Sequence, residues 1–70
     1  MNEIEVTNEP IELHKLLKFS GIAESGGEAK AIIADEQILV NGTVETQKRK
    51  KIITGDIITY QDEQFTIRII

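Results

Sequence analysis

Apolar residues recur in two rhythms along the chain. At the start, "EIEVT" (Glu3–Thr7) alternates polar and apolar side chains, which predicts a short, half-buried strand. The spacing then changes: Leu13, Leu16 and Leu17 follow an i, i+3, i+4 order. That order predicts a helix from about Glu9 to Phe19 that turns the three leucines inward. Asn8 is placed to cap it, and Pro10 falls in a first turn where its missing N–H is not needed. Gly21 is placed to end it. His14, Lys15 and Lys18 share its outer, polar side.

A second helix is announced by "SGGE", Ser25 to Glu28, which has the form of a capping box. Ala29, Ile32 and Ile33 form its buried stripe, Lys30 points elsewhere, and its end is expected near Asp35 or Glu36. Strands follow. In "ILVNGTVE" the Asn41-Gly42 pair stands between β-formers, the strongest short signal for a hairpin because both positions favour positive φ. "TGD" marks another turn before "IITYQ", and "DE" leads into "FTIRII", where Phe65, Ile67 and Ile69 alternate and Phe65 is read as core. The predicted class is α+β, two short helices in a helix-loop-helix packed on a small, mostly antiparallel sheet.

Length and composition narrow what such a fold can do. Seventy residues suit a single domain, 1–70, with a small core and little room for a deep substrate pocket. With no cysteine, neither a disulfide nor a thiolate metal site can staple it. No apolar run approaches the roughly 20 residues of a membrane span, and "MNEIEVTNEP" lacks the basic start and apolar middle of a secretion signal. A cytoplasmic protein without a membrane partner is expected.

The charge is uneven. Twelve carboxylates outweigh eight bases, for a formal charge of −4. Residues 1–12 carry four acids and no base, and residues 13–51 carry seven bases against five acids. Half of all the bases stand together as Lys48, Arg49, Lys50 and Lys51. Exposed charges are screened beyond about 8 Å at physiological salt, so this local field, not the sum, decides what the surface attracts.

From Leu16 to Ile58 the order of motifs resembles the S-four domain, the RNA-binding module named after ribosomal small-subunit protein four. Leu16, Leu17, Gly21, Ser25, Ala29, Lys30, Val40, Asn41, Gly42, Gly55 and Asp56 fall in register with it, and the motif core spans about residues 11–58. The short stand-alone bacterial members are the most similar, with a Ser-Gly-rich helix start and a basic run after Val-Glu-Thr. The resemblance implies the family's alpha-L motif, a helix-loop-helix packed against a β-hairpin. It also implies structured RNA, ribosomal or otherwise helical, on the basic face, with ribosomal proteins as possible further contacts. Many relatives carry arginine where this chain has Glu12 and Gly26, and glycine where it has Glu36.

Each candidate residue has its own chemistry. Lys48, Arg49, Lys50 and Lys51 would release counterions from phosphates, contacts that position RNA without reading its sequence. If the run is extended its side chains alternate, so all four can follow one phosphate track only where the segment bulges or curls. Ser25, Gly26 and Gly27 open a helix whose free amides favour an anion. Lys30 sits one turn inside the same helix, and Lys15 and Lys18 could border that face. His14, the only histidine, is read as a surface residue; no metal site or cofactor is expected. Asp35 and Glu36 diverge at a helix end, which makes an acid–base pair improbable and an enzyme the weakest reading. With only Phe19, Tyr60 and Phe65 as aromatics, few exposed rings are expected and recognition falls to shape and backbone. The alternative is a small protein-docking module, because "VNG" and "GDIITY" are also similar to β-grasp sulfur carriers. Those carriers end in Gly-Gly, whereas here the last residues are Arg68-Ile69-Ile70.

Overall fold

The computed structural model describes residues 2–7 and 10–70. Their elements run β1 (Asn2–Val6), β2 (Ile11–Glu12), α1 (Leu13–Ser20), α2 (Gly26–Ala34), β3 (Ile38–Val40), β4 (Thr43–Val44), β5 (Lys51–Ile52), β6 (Ile57–Tyr60) and β7 (Glu63–Ile69). Five strands form one sheet in the order β1-β7-β6-β3-β4. Only β1 and β7 run parallel, with Ile4 opposite Ile67 and Val6 opposite Ile69; the other pairs are antiparallel. A parallel pair cannot be closed by a hairpin, so both helices and the inner strands lie in the connection between them. β2 and β5 form a separate two-stranded ribbon, Ile11 opposite Ile52 and Glu12 opposite Lys51. The α+β class is as expected, two helices on a mostly antiparallel sheet.

Both rhythms of the sequence end in one apolar core. α1 buries Leu13, Leu16 and Leu17, and α2 buries Ala29, Ile32 and Ile33. They meet Ile4 and Val6 of β1, Ile38 and Val40 of β3, and Ile52, Ile58 and Ile67. Each leucine, isoleucine or valine among them contributes about 1.5–3 kcal/mol by leaving water, and no polar residue is buried among those described. Phe65, expected in the core, is only half-buried and packs against its margin. It stands opposite Ile58 near the start of β7, where the sheet is less covered than at Ile67.

The start of α1 departs from expectation. The helix begins at Leu13, because Ile11 and Glu12 are drawn into pairing with β5. Pro10 therefore precedes the helix, in an exposed bend, and the proposed Asn8 cap lies outside the described residues. Glu12 occupies the cap position with an extended backbone and makes no side-chain capping bond. The far end is as expected: Gly21, at φ 86°, donates its N–H to the Lys18 carbonyl.

α2 is capped by the Ser25 hydroxyl, which accepts the Glu28 N–H at 3.1 Å. It ends with the Glu36 N–H on the Ile33 carbonyl and the Gln37 N–H on the Ile32 carbonyl. This six-residue closure needs a left-handed residue, and Glu36 takes it at φ 60°. The Asn41-Gly42 hairpin forms with both residues at positive φ, 53° and 85°. A second tight turn of the same kind, Gln61-Asp62, joins β6 to β7.

Candidate nucleic-acid interface

The basic run curls. The Lys50 N–H donates to the Gln47 carbonyl at 3.1 Å, closing a turn with Lys48 and Arg49 at its centre. The condition set by strand alternation, that the segment bulge or curl, is thereby met. The turn is docked on α1: the Leu13 N–H donates to the Lys50 carbonyl at 2.8 Å and the His14 N–H to the Lys48 carbonyl at 3.0 Å. A helix start has amides without intrahelical partners, and here the carbonyls of the basic run satisfy two of them. The backbone is thus tied inward while all four basic side chains are exposed.

None of the four forms an ion pair among the described residues, nor do Lys18 and Lys30. Of the chain's bases, Lys15 reaches Glu12 at 3.6 Å and Arg68 reaches Glu3 at 3.7 Å. The unneutralised charge is therefore concentrated at the turn and on the outer faces of the helices.

Glu12 is the centre of a local network. His14 Nε2 donates to Glu12 Oε1 at 2.9 Å. That hydrogen bond holds the Glu12 carboxyl below its usual value; burial opposes it, and the nearby charges of Lys15 and Arg49 add to the lowering. His14, read from the sequence as a surface residue, is in fact half-buried, with 15% of its side chain exposed. It is turned back onto Glu12 because the helix start is pressed against the basic turn.

An open cleft of about 500 Å³ lies beside this network, lined by Pro10, Ile11, Glu12, Lys15, Phe19 and Lys51. It joins Lys15 of α1 to the last base of the run. Phe19 is 62% exposed, whereas Tyr60 and Phe65 are half-buried, so few rings are accessible, as expected. The position of Phe19 was readable: it is four residues beyond Lys15 and one beyond Lys18, on α1's polar side.

The remaining candidates lie apart. Ser25 caps α2, Gly26 and Gly27 are its first residues, and Lys30 stands exposed on its outer face. No hydrogen bond or ion pair joins them to the turn among the described residues. A Cβ at Gly26 would meet nothing within 4 Å, and one at Gly27 only the Ser25 hydroxyl at 3.9 Å. The start of α2 is consequently open to approach. Among the described residues no group of three His, Asp or Glu side chains could hold a metal ion.

The two hairpin motifs serve the fold. Asn41 Nδ2 donates to Asp56 Oδ1 at 3.0 Å, and Asn41 Oδ1 accepts the Ile57 N–H at 2.9 Å. Asp56 Oδ2 accepts the Ile53 N–H at 3.0 Å. Val-Asn-Gly and Gly-Asp are thus two halves of one lock that fixes the path of the chain on either side of the basic turn.

The chain is similar to known proteins. The sequence of YbcJ from Escherichia coli (strain K12) is 48% identical over 50 residues, 71% of each chain. RlbA of Bacillus subtilis (strain 168), named as a probable ribosome maturation protein, is 32% identical over 57 residues, 81% of this chain and 80% of that one. The solution structure of E. coli YbcJ, described as revealing an αL motif involved in RNA-binding, superposes with a TM-score of 0.70 at 38% identity. That superposition covers 96% of this chain and 86% of the other. The family pattern of the S4 (S-four) domain matches residues 4–68, and the chain belongs to that family.

Proposed function

We propose that this protein binds structured RNA, ribosomal RNA foremost, through a surface built from the basic turn and the outer side of α1. The observation that carries this reading is the turn itself: four exposed bases, without an ion pair among the described residues, on a backbone tethered to a helix start. Such a cluster attracts a phosphate track whose sequence it does not read. The start of α2, with Ser25, Gly26, Gly27 and Lys30, supplies a second phosphate contact. The descriptions of YbcJ, involved in RNA-binding, and of RlbA, a probable ribosome maturation protein, support RNA and ribosome maturation as the setting; ribosomal proteins would be neighbours there. The protein acts without a cofactor, in the cytoplasm, as a binding module.

The test is binding to a labelled, structured ribosomal RNA fragment at low and moderate salt, beside K48A/R49A/K50A/K51A. With four phosphates contacted, affinity of the parent falls about a hundredfold between 50 and 200 mM salt, and the variant shows a clearly shallower dependence. Equal binding by the variant sinks the turn as the site. No binding at low salt leaves the protein-docking alternative.

A further inference from the structure

We infer that the cleft between α1 and the basic turn holds one unpaired nucleotide, its base stacked on Phe19 and its phosphates held by Lys15 and Lys51. The inference rests on the RNA-binding reading and narrows it, from a duplex alone to a helical RNA with an extruded or flanking base.

The cleft combines two chemistries. Phe19 offers a largely free aromatic face, although Leu13, Leu16 and Leu17 on the same helix are wholly buried. The ring has therefore been left on the polar side, four residues from Lys15, where side chains of a helix are neighbours. Lys15 and Lys51 line the same opening, and among the described residues Lys51 has no carboxylate partner. A flat ring beside two ammonium groups matches an aromatic base joined to an anionic phosphate. A paired base cannot use it, because its faces are already covered by its neighbours in the helix. An apolar peptide side chain would find the ring but offer no anion to Lys51, whereas Lys15 already reaches Glu12. The cleft's size, about 500 Å³, is enough for one nucleotide. One ring cannot form a platform for a strand of bases; it can hold a single one.

The experiment uses two RNA hairpins of equal stem length, one fully paired and one carrying a single bulged 2-aminopurine. F19L keeps an apolar side chain without a ring, and F19W keeps a ring and becomes the chain's only tryptophan. The parent should prefer the bulged RNA on the order of tenfold and quench its 2-aminopurine emission. F19L should lose that preference while its affinity for the paired hairpin and its melting temperature stay unchanged. F19W should retain the preference, with its indole emission altered by the bulged RNA and not by the paired one.

Equal binding of both RNAs by the parent overturns the inference and leaves the basic turn as an RNA site. Equal weakening of both by F19L does the same. Self-association of the parent that F19L abolishes assigns the ring to a second copy, and overturns it too. If the parent binds neither hairpin, the RNA reading fails and this inference fails with it.

Discussion

Glu12 stands where phosphate would be unwelcome, between Lys15 and a basic turn, and its carboxylate is held there by His14. Its lowered pKa fixes the sign of its effect on stability. A carboxyl whose folded value is depressed contributes above the ordinary value of 4.5 and loses that contribution as pH falls through the folded value. E12Q removes the titration, so melting temperature measured across the acid range should fall less steeply below pH 4.5 than in the parent. The same change removes a negative charge from the cleft, and RNA affinity should rise, by up to about fivefold for one exposed charge. Glu36 is strained for a different reason: it takes the left-handed position that closes α2, at φ 60°. That conformation disfavours a side chain by about 1 kcal/mol, partly offset by the freedom glycine gains when unfolded. E36G should accordingly raise the thermal midpoint by a few degrees, on the scale of about 4–8 °C per kcal/mol for a domain of this size. RNA binding by E36G should equal the parent's, because the residue lies at the far end of α2 from Ser25.

At the scale of elements, what was legible depended on whether a helix or turn is specified locally. α2 carries its own cap, Ser25, and its own apolar stripe, so both its ends were readable from sequence. The Asn41-Gly42 hairpin was equally plain, because both residues tolerate positive φ. The start of α1 is not legible in the sequence, since its cap is tertiary: carbonyls of Lys48 and Lys50, more than thirty residues along the chain, accept its first amides. The Gln61-Asp62 turn has no glycine to announce it, and antiparallel pairing of Tyr60 with Glu63 imposes it. For the site, residue types were legible and assembly was not. Sequence could place four bases in one run, but only the docking of that run on α1 brings Lys51 beside Lys15 and Phe19. The open start of α2 permits a direct test of the second phosphate contact. Gly27 is exposed, has no positive φ, and has room for a methyl group. G27A should stabilise the helix by up to about 1 kcal/mol through propensity alone. It should also place a methyl where a phosphate would approach, so RNA affinity falls as stability rises. Denaturant unfolding and RNA titration on the same preparation would read both. Unchanged affinity with raised stability would assign Ser25–Gly27 to helix capping alone.

Across the whole molecule, charge is sorted by sheet. β1 exposes Glu3 and Glu5 at one edge of the five-stranded sheet, where Arg68 pairs with Glu3 and Asn2 donates to Glu63. The basic turn feeds the separate β2–β5 ribbon. A net charge of −4 therefore coexists with a cationic surface, and the acidic edge should restrain adhesion to any polyanion at a distance. The dimensions decide when it can. The chain extends 29 × 21 × 18 Å, and the screening length is about 30 Å at 10 mM salt but about 8 Å at 150 mM. At low salt the carboxylates of β1 are felt across the whole molecule; at physiological salt they are felt only locally. E3Q/E5Q, which brings the formal charge from −4 to −2, should bind RNA more tightly than the parent at 10 mM salt, and as tightly as the parent at 150 mM. Titrations of the same labelled RNA at the two salt concentrations supply the check. If the gain survives at 150 mM, Glu3 and Glu5 lie within direct reach of the RNA, and the bound surface must extend from the basic turn onto the edge of the sheet.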